Sequence, residues 1–203
     1  MRPFVAATLV ALIAAGLAVE ALPGAGLARG PKIRAVRPKA DAFVSQASRT
    51  QNFGHARMLK VDSSPTLRAY VTFAVDLSDD DVQQVSLLLY SRTKSKVGYR
   101  IRLIGERFRE RRITFANAPD LSGDSVSSGP LRAGAWKAVD VTMLAAGEED
   151  FVGFALTSDS SKGMEFASRE TGLRGPRLIV QRRANVTTGS TSTSTQEENP
   201  LER

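Results

Sequence analysis

The chain has no cysteine, and its 203 residues include a single histidine, His55. The absence of thiols excludes disulfides, thiolate metal sites, cysteine nucleophiles and a lipid-modified cysteine anchor. One histidine excludes a histidine-rich metal centre and leaves one candidate for any histidine-dependent triad. A chain of this length can bury a core without metal or disulfide supports, so we expect stability to come from burial and backbone pairing.

The first 28 residues have the pattern of a secretory signal peptide. Arg2 gives a positive start, residues 5–19 form an apolar run, and residues 26–28 (Gly-Leu-Ala) supply the small side chains that signal peptidase requires. Residues 19–21 form a competing cleavage site, and an uncleaved anchor helix is the alternative because the run approaches the length that spans a bilayer. We expect a secreted, extracellular protein with no stable membrane insertion after cleavage.

Positive charge is in excess, with 28 lysines and arginines against 21 acidic residues and a formal net charge of +7. Basic proteins attract polyanions. Behind an export signal, this charge favours an acidic polysaccharide or a cell-wall glycan as the partner, and we expect no nucleic acid. A basic surface that serves solubility alone is the other interpretation.

Composition divides the chain into a basic linker at residues 29–39, a folded part at 40–181 and a Ser/Thr-rich tail at 182–203 that we expect to be disordered. The folded part consists of short alternating runs separated by Gly, Pro, Asp and Ser, which predicts an all-β sandwich of antiparallel strands. One short helix is predicted near residues 141–146, where a capping residue precedes the run and Gly147 follows it. The predicted strands are residues 42–45, 56–61, 67–76, 82–91, 97–103, 112–114, 125–128, 135–140, 151–157, 164–168 and 177–181.

Two of these strands differ in their pattern. In residues 67–76, apolar side chains alternate with Arg68, Tyr70 and Thr72, which predicts a strand buried on one face. In residues 82–91, Leu88 and Tyr90 face away from an already apolar side, which predicts a strand buried on both faces.

Short motifs follow one another in a fixed order along the folded part. They are residues 40–44 (ADAFV), 52–54 (NFG), 68–73 (RAYVTF), 85–90 (VSLLLY), 113–119 (ITFANAP), 134–136 (GAW), 140–142 (DVT), 153–156 (GFAL), 168–170 (SRE) and 176–180 (PRLIV). This series resembles the DNRLRE domain family, also grouped as family 96 of the carbohydrate-binding modules, over about residues 40–181. The resemblance implies a jelly-roll β-sandwich of the kind carried by secreted bacterial proteins, some of which bind acidic polysaccharide such as alginate.

Sugar recognition needs an aromatic face for the C–H side of a ring, and guanidinium groups suit the carboxylates of uronates. Arg100 and Arg102 lie two residues apart and should project from the same face of their strand. Each candidate also has a structural role as its alternative. The aromatics, Trp136 above all, could pack in the core, and the arginines could form a solvated face. Arg169 could form an ion pair that joins two loops. The predicted ligand-binding residues are Arg68, Tyr70, Arg92, Tyr99, Arg100, Arg102, Trp136 and Arg169.

Asp41, Asp76 and Asp140 lie at strand ends, where carboxylate and carbonyl oxygens could hold a structural calcium ion, and no other cofactor is predicted. No catalytic residues are predicted, and we expect a non-catalytic protein. A glycosidase acting through two carboxylates, such as Glu165 and Glu170, is a remote alternative. A second alternative is a structural or adhesive surface module whose partner is a protein or the cell wall.

Overall fold

The computed structural model describes residues 30–184, so the predicted signal peptide and nearly all of the predicted tail lie outside the described residues. Its elements are antiparallel strands with one short α-helix and two 3-10 helices, which confirms the predicted fold class. The elements are β1 (Lys32–Val36), β2 (Ala40–Ser45), a 3-10 helix (Gln46–Ser48), β3 (Met58–Ser63), β4 (Thr66–Phe73), β5 (Val82–Ser91), β6 (Arg100–Leu103), β7 (Val126–Ser127), β8 (Ala135–Asp140), α1 (Thr142–Ala145), β9 (Val152–Thr157), β10 (Met164–Ala167), a second 3-10 helix (Arg169–Arg174) and β11 (Arg177–Arg182). None of the helices within residues 30–184 is long and apolar enough to cross a bilayer.

The strands form two layers. Sheet A contains β1, β11, β5, β8 and β10 together with the first part of β3, and sheet B contains β2, β4, β9, β6 and β7. The end of β3 pairs with β4, so hydrogen bonding runs without a break from one layer to the other. Inward side chains of both layers, among them Leu87, Phe166, Val71 and Phe154, form one buried cluster. This cluster is the core of a β-sandwich.

Strand β1 corrects the prediction that residues 29–39 form a linker. Lys32–Val36 pairs along its whole length with β11, and Val36 is buried in the core. The strand lies at the edge of sheet A, and its other four residues are exposed. Lys32 and Arg34 give it the charged composition that is common on edge strands, which explains why it looks like a linker in the sequence.

The prediction of a strand at residues 112–114 is also wrong. These residues belong to the long connection between β6 and β7, and we call residues 104–125 the cover segment. Its apolar side chains pack on the outer face of sheet B, where they form a second buried cluster. That cluster contains Ile104, Phe108, Ile113, Phe115, Ala118 and Leu121 from the cover segment and Ala42, Val44, Tyr70 and Ala155 from sheet B.

The burial observed on β4 and β5 is the reverse of the burial that their patterns predict. On β4, Tyr70 and Thr72 are buried beneath the cover segment, so this strand is buried on both faces rather than on one. On β5, Leu88 and Tyr90 point outward from sheet A and are only half-buried, so the prediction of burial on both faces is wrong there. One outer face of the sandwich is therefore closed and the other is open.

The Asn-Phe-Gly motif holds the cover segment in place. The Asn52 amide donates hydrogen bonds to the carbonyl oxygens of Glu110 at 2.8 Å and Ile113 at 2.7 Å. A Cβ at Gly54 would lie 2.1 Å from the Glu110 carbonyl oxygen, so only glycine permits this approach. Within the cover segment, the Asn117 side chain accepts from the Thr114 amide and fixes the turn.

We expect Asn52→Ala to lower the free energy of unfolding by about 2–3 kcal/mol, because two partly buried carbonyl groups lose their donor. Denaturant unfolding measures the change. Gln51→Ala, at the exposed neighbouring position, is the matched control, and an equal loss in both variants would contradict this role of Asn52.

Candidate functional site

Trp136 and Tyr90 form an aromatic surface on the outer face of sheet A. The two residues are direct neighbours in the β8–β5 pairing, and their ring centroids lie 5.5 Å apart with the planes at 75°. Trp136 is 42% exposed, so the alternative interpretation of this residue as a packing residue of the core is wrong. An exposed indole beside a half-buried phenol offers the apolar face that a sugar ring requires.

Two arginines lie over these rings. The guanidinium carbon of Arg177 is 5.4 Å from the centroid of the Trp136 ring, and that of Arg174 is 4.8 Å from the centroid of Tyr90. Arg177 also donates to the Leu173 carbonyl oxygen at 2.8 Å. Cation–π attraction and this hydrogen bond orient the guanidinium planes and leave other N–H groups available. We call Tyr90, Trp136, Arg174 and Arg177 the aromatic–arginine platform.

The positive charge of the platform is not neutralised by acidic neighbours. Among the residues that the structure describes, no carboxylate oxygen lies within 4.0 Å of Arg174 or Arg177. Arg177 also lines an adjoining groove of about 260 Å³, to which Arg37, Arg169 and Glu170 contribute. The surface therefore combines an apolar face with guanidinium groups that can accept an anionic ligand.

The arginines predicted from the sequence are more fully engaged. The Arg100 guanidinium pairs with the Asp159 carboxylate at 2.7 Å. Arg102, on the same face of β6, donates to the carbonyl oxygens of Ser122 and Gly123 at 2.9 and 2.7 Å. Their contacts are therefore largely internal to the protein.

The remaining two members of that arginine group occupy different places. Arg68 lies over the Phe115 ring at 5.3 Å and lines a cleft of about 340 Å³ together with Arg102. Arg92 is exposed in the loop after β5 and lines neither this cleft nor the groove beside the platform. The structure thus brings together Arg68, Arg100 and Arg102 on sheet B but separates them from Trp136.

Tyr70 and Tyr99 are buried, which removes both from the surface where a ligand could touch them. Tyr70 lies beneath the cover segment, and its hydroxyl donates to the Pro119 carbonyl oxygen at 3.4 Å. Tyr99 packs in the core against Phe166, with ring centroids 4.9 Å apart. Burial raises the pKa of both phenols, so each remains neutral.

For Arg169, the sequence leaves open a contact with the ligand and an ion pair that joins two loops, and the structure shows the ion pair. Its backbone amide donates to Asp41 Oδ2 at 2.7 Å, and its guanidinium pairs with Glu110 at 3.0 Å and with Glu170 at 3.3 Å. A further bond runs from its Nη1 to the Lys39 carbonyl oxygen at 2.6 Å. These contacts tie β2, the cover segment and the second 3-10 helix together.

Asp41 is the unusual member of this cluster. Burial raises the pKa of its carboxyl group from 3.8 to about 7, opposed by the hydrogen bond from the Arg169 amide and reinforced by the negative charge of Glu110. Its Oδ1 atom is buried without a hydrogen-bond partner, as suits a carboxyl group that keeps a proton. Asp41 therefore changes charge near neutral pH in the folded protein.

The three aspartates predicted to hold calcium are not brought together as a site. Asp76 Oδ1 accepts from the Ser78 amide at 2.9 Å, and Asp140 Oδ1 accepts from the Thr142 amide at 2.9 Å, where α1 begins. The hydroxyl groups of Ser78 and Thr142 also donate to these carboxylates at 2.6 Å, and the hydroxyl bonds, followed by the amide bonds, lower the pKa of both carboxyl groups. No group of three or more acidic or histidine side chains suited to a metal ion occurs within residues 30–184.

The carboxylates of the glycosidase alternative have separate partners. Glu165 lies 3.6 Å from the Lys60 ammonium group, whereas Glu170 pairs with Arg169. His55 is exposed in the turn after Gly54.

Sequence reasoning missed three of the four platform residues, namely Tyr90, Arg174 and Arg177. Alternation along β5 places Tyr90 opposite the core face, but the expectation that both faces are buried concealed its exposure. Arg174 depends on a kink in the second 3-10 helix, where Gly172 has a φ of 67°. The two glycines in residues 172–175 (GLRG) predict such a turn. They do not predict the direction in which the side chain of the arginine between them points.

A comparison with family models identifies this sandwich as a carbohydrate-binding module. The model of carbohydrate-binding module family 96 matches residues 32–182, which include every strand of both sheets. The chain belongs to this family, and the resemblance noted from its motifs is confirmed. Membership implies a glycan-binding, non-catalytic module. A search of curated proteins found no match.

We predict that the stability of the protein falls as pH rises from about 4 to about 7, because folded Asp41 holds a proton that the unfolded chain releases near its ordinary pKa of 3.8. Asn at this position keeps an acceptor for the Arg169 amide and never ionises. One pKa unit corresponds to about 1.4 kcal/mol, or about 3–6 °C in Tm at this size. The Tm of Asp41→Asn should therefore gain at least that much relative to the Tm of the wild type across this pH range.

Asp76→Asn is the control, since the lowered pKa of this exposed carboxyl group gives a change of opposite sign, confined to lower pH. Thermal unfolding from pH 4 to pH 8 provides the measurement. A constant difference between Asp41→Asn and wild type would contradict the raised pKa of Asp41.

Proposed function

We propose that this protein is a secreted, non-catalytic module that binds an acidic, alginate-like polysaccharide through the aromatic–arginine platform. The observation that carries the proposal is that Arg174 and Arg177, without a carboxylate partner in the described part of the chain, lie over the exposed Trp136–Tyr90 pair. A neutral glycan would leave both positive charges uncompensated, and a purely apolar partner would leave the guanidinium N–H groups without acceptors.

Each part of the platform has a role in binding a uronate chain. The C–H face of one sugar ring packs on the part of the Trp136 indole that stays exposed beside Arg177, as apolar faces of carbohydrates do on aromatic rings. The carboxylate of a neighbouring unit accepts paired hydrogen bonds from a guanidinium group. The groove with Arg37 and Arg169 extends the surface beyond Arg177, so a polymer longer than two units gains further contacts. The net charge of +7 draws the polyanion towards the protein.

Preorganisation favours this surface over the arginines on sheet B. The rings and the Leu173 carbonyl group hold the platform guanidiniums before the ligand arrives, so less side-chain entropy is lost on binding. Arg100, by contrast, has to give up its ion pair with Asp159 before it can bind a ligand carboxylate.

We expect Trp136→Ala, and separately the double variant Arg174→Gln with Arg177→Gln, to weaken binding to alginate or pectate by about 10- to 100-fold. Hydrogen bonds to charged groups contribute about 1.5–3 kcal/mol, and each 1.4 kcal/mol is tenfold in Kd. Affinity electrophoresis at low salt, followed by calorimetry, measures the loss. Added salt should weaken the wild type more than the arginine double variant.

Arg111→Gln is the matched control, because Arg111 is an exposed arginine of the cover segment, away from the platform. It removes the same charge and should change the affinity by less than twofold. If alginate, pectate and heparin all fail to retard the wild-type protein at low salt, the proposed function is wrong.

The proposal of export rests on the sequence pattern of residues 1–28. When the protein is expressed with residues 1–28 in a bacterium that has a secretory pathway, it should be recovered outside the cytoplasm with Arg29 as its first residue. N-terminal sequencing checks this. Retention of Met1 on protein in the membrane fraction would favour the anchor helix instead.

A further inference from the structure

The cleft on sheet B, between the hairpin end of β4 and the end of the cover segment, has the make-up of a binding site. It has a volume of about 340 Å³, and its lining combines guanidinium, hydroxyl and apolar groups. Those groups include Arg68 and Arg102, the hydroxyls of Thr66, Ser122 and Ser158, and Leu121. We call this cavity the sheet B cleft.

The two cations of the sheet B cleft are held in fixed positions. Arg68 is oriented by the Phe115 ring, and Arg102 by the carbonyl oxygens of Ser122 and Gly123. Neither has a carboxylate within 4.0 Å among residues 30–184. Both therefore keep a net positive charge and N–H groups free of ion pairs.

Two acidic residues also line the cleft, and they do not cancel its charge. Asp159 is already paired with Arg100 at its rim, and Asp62 Oδ1 accepts from the Ser64 amide at 3.2 Å. The lining itself holds two arginines and two aspartates, but Arg100, which lies outside the lining, neutralises Asp159 and leaves Arg68 and Arg102 against Asp62 alone. The excess positive charge and the hydroxyl lining fit an anionic, hydroxyl-rich ligand better than an apolar one.

The sheet B cleft and the aromatic–arginine platform lie on opposite faces of the sandwich. Arg68 and Arg102 point to the same side of sheet B as Tyr70 and Ala155, the side that carries the cover segment. Trp136 points to the outer side of sheet A. The full thickness of two sheets, which pack about 10 Å apart, together with their outward side chains, separates the two surfaces. A short oligosaccharide cannot reach both at once.

We propose that the sheet B cleft is a second binding site for an acidic glycan, so that one molecule bridges two polysaccharide chains, or two distant parts of one chain. The proposal rests on the proposed function of the platform for the class of ligand. Bridging follows from geometry, because two sites that face opposite directions cannot share neighbouring units of one extended chain.

The test is the binding stoichiometry of a purified uronic acid tetrasaccharide, measured by calorimetry at low salt. Wild type should bind two molecules per chain. Trp136→Ala should reduce this number to one, and Arg68→Gln should also leave one, at the platform. Because Arg68 contacts the cover segment, Thr66→Trp is a second variant that fills the cleft while Arg68 stays in place. The Tm of each variant shows whether it is folded. The control Arg111→Gln removes one positive charge elsewhere and should keep two sites.

The two proposals fail in different ways. If the wild type binds one molecule, and binding is lost in Trp136→Ala but kept in Arg68→Gln, the second site is overturned and the platform is supported. If instead that single site is lost in Arg68→Gln and kept in Trp136→Ala, both bridging and the role of the platform are overturned. No binding by any form overturns the proposed function and this inference with it. With long alginate, light scattering should show protein-dependent cross-linking for wild type and at least a fivefold lower signal for either single-site variant.

Discussion

The fold depends on one constraint, which is that β4 must be covered on both faces. Its inward residues Ala69, Val71 and Phe73 belong to the core between the sheets, and its outward residue Tyr70 is also apolar in most of its surface. Leaving such a strand open to water would expose a large aromatic side chain beside Val44 and Ala155, at about 25 cal/mol per Å² of apolar surface. The cover segment removes this cost, whereas the outer face of sheet A has no such cover and leaves Leu88 and Tyr90 half-buried.

The contacts that hold the cover segment also position the aromatic–arginine platform on the other side of the molecule. The backbone carbonyl oxygen of Glu110 accepts a hydrogen bond from the Asn52 side-chain amide, and the Glu110 carboxylate forms an ion pair with Arg169. Arg169 begins the 3-10 helix that carries Arg174 and supplies the Leu173 carbonyl group to Arg177. These hydrogen bonds, together with the short 3-10 helix between Arg169 and Arg174, connect the outer face of sheet B with the edge of the platform.

The sequence predicted the fold class, the short helix and most of the strands, because alternation with period two is a local property. It failed where burial depends on distant chain. Nothing in the residues of β4 says that the cover segment will lie over Tyr70, and nothing in those of β5 says that Tyr90 will stay open. The alternative interpretation of Trp136 as a packing residue failed for the same reason. The linker prediction failed because an exposed edge strand such as β1 pairs through its backbone, while its side chains retain the composition of a loop.

The motifs that reveal the family serve mainly to build its scaffold. Asn52 and Gly54 hold the cover segment, Asn117 shapes its turn, and Arg169 joins three elements. Such residues are constrained by backbone geometry, whereas a glycan-binding surface needs only exposed groups that the scaffold places side by side. Three of the four platform residues, Tyr90, Trp136 and Arg177, lie within motifs. Arg174 falls between two motifs, in a kinked turn that the scaffold fixes at both ends. Ligand preference can therefore change at positions like this one while the motifs and the sandwich stay the same, because substitution of an exposed side chain leaves the buried contacts of the cover segment in place.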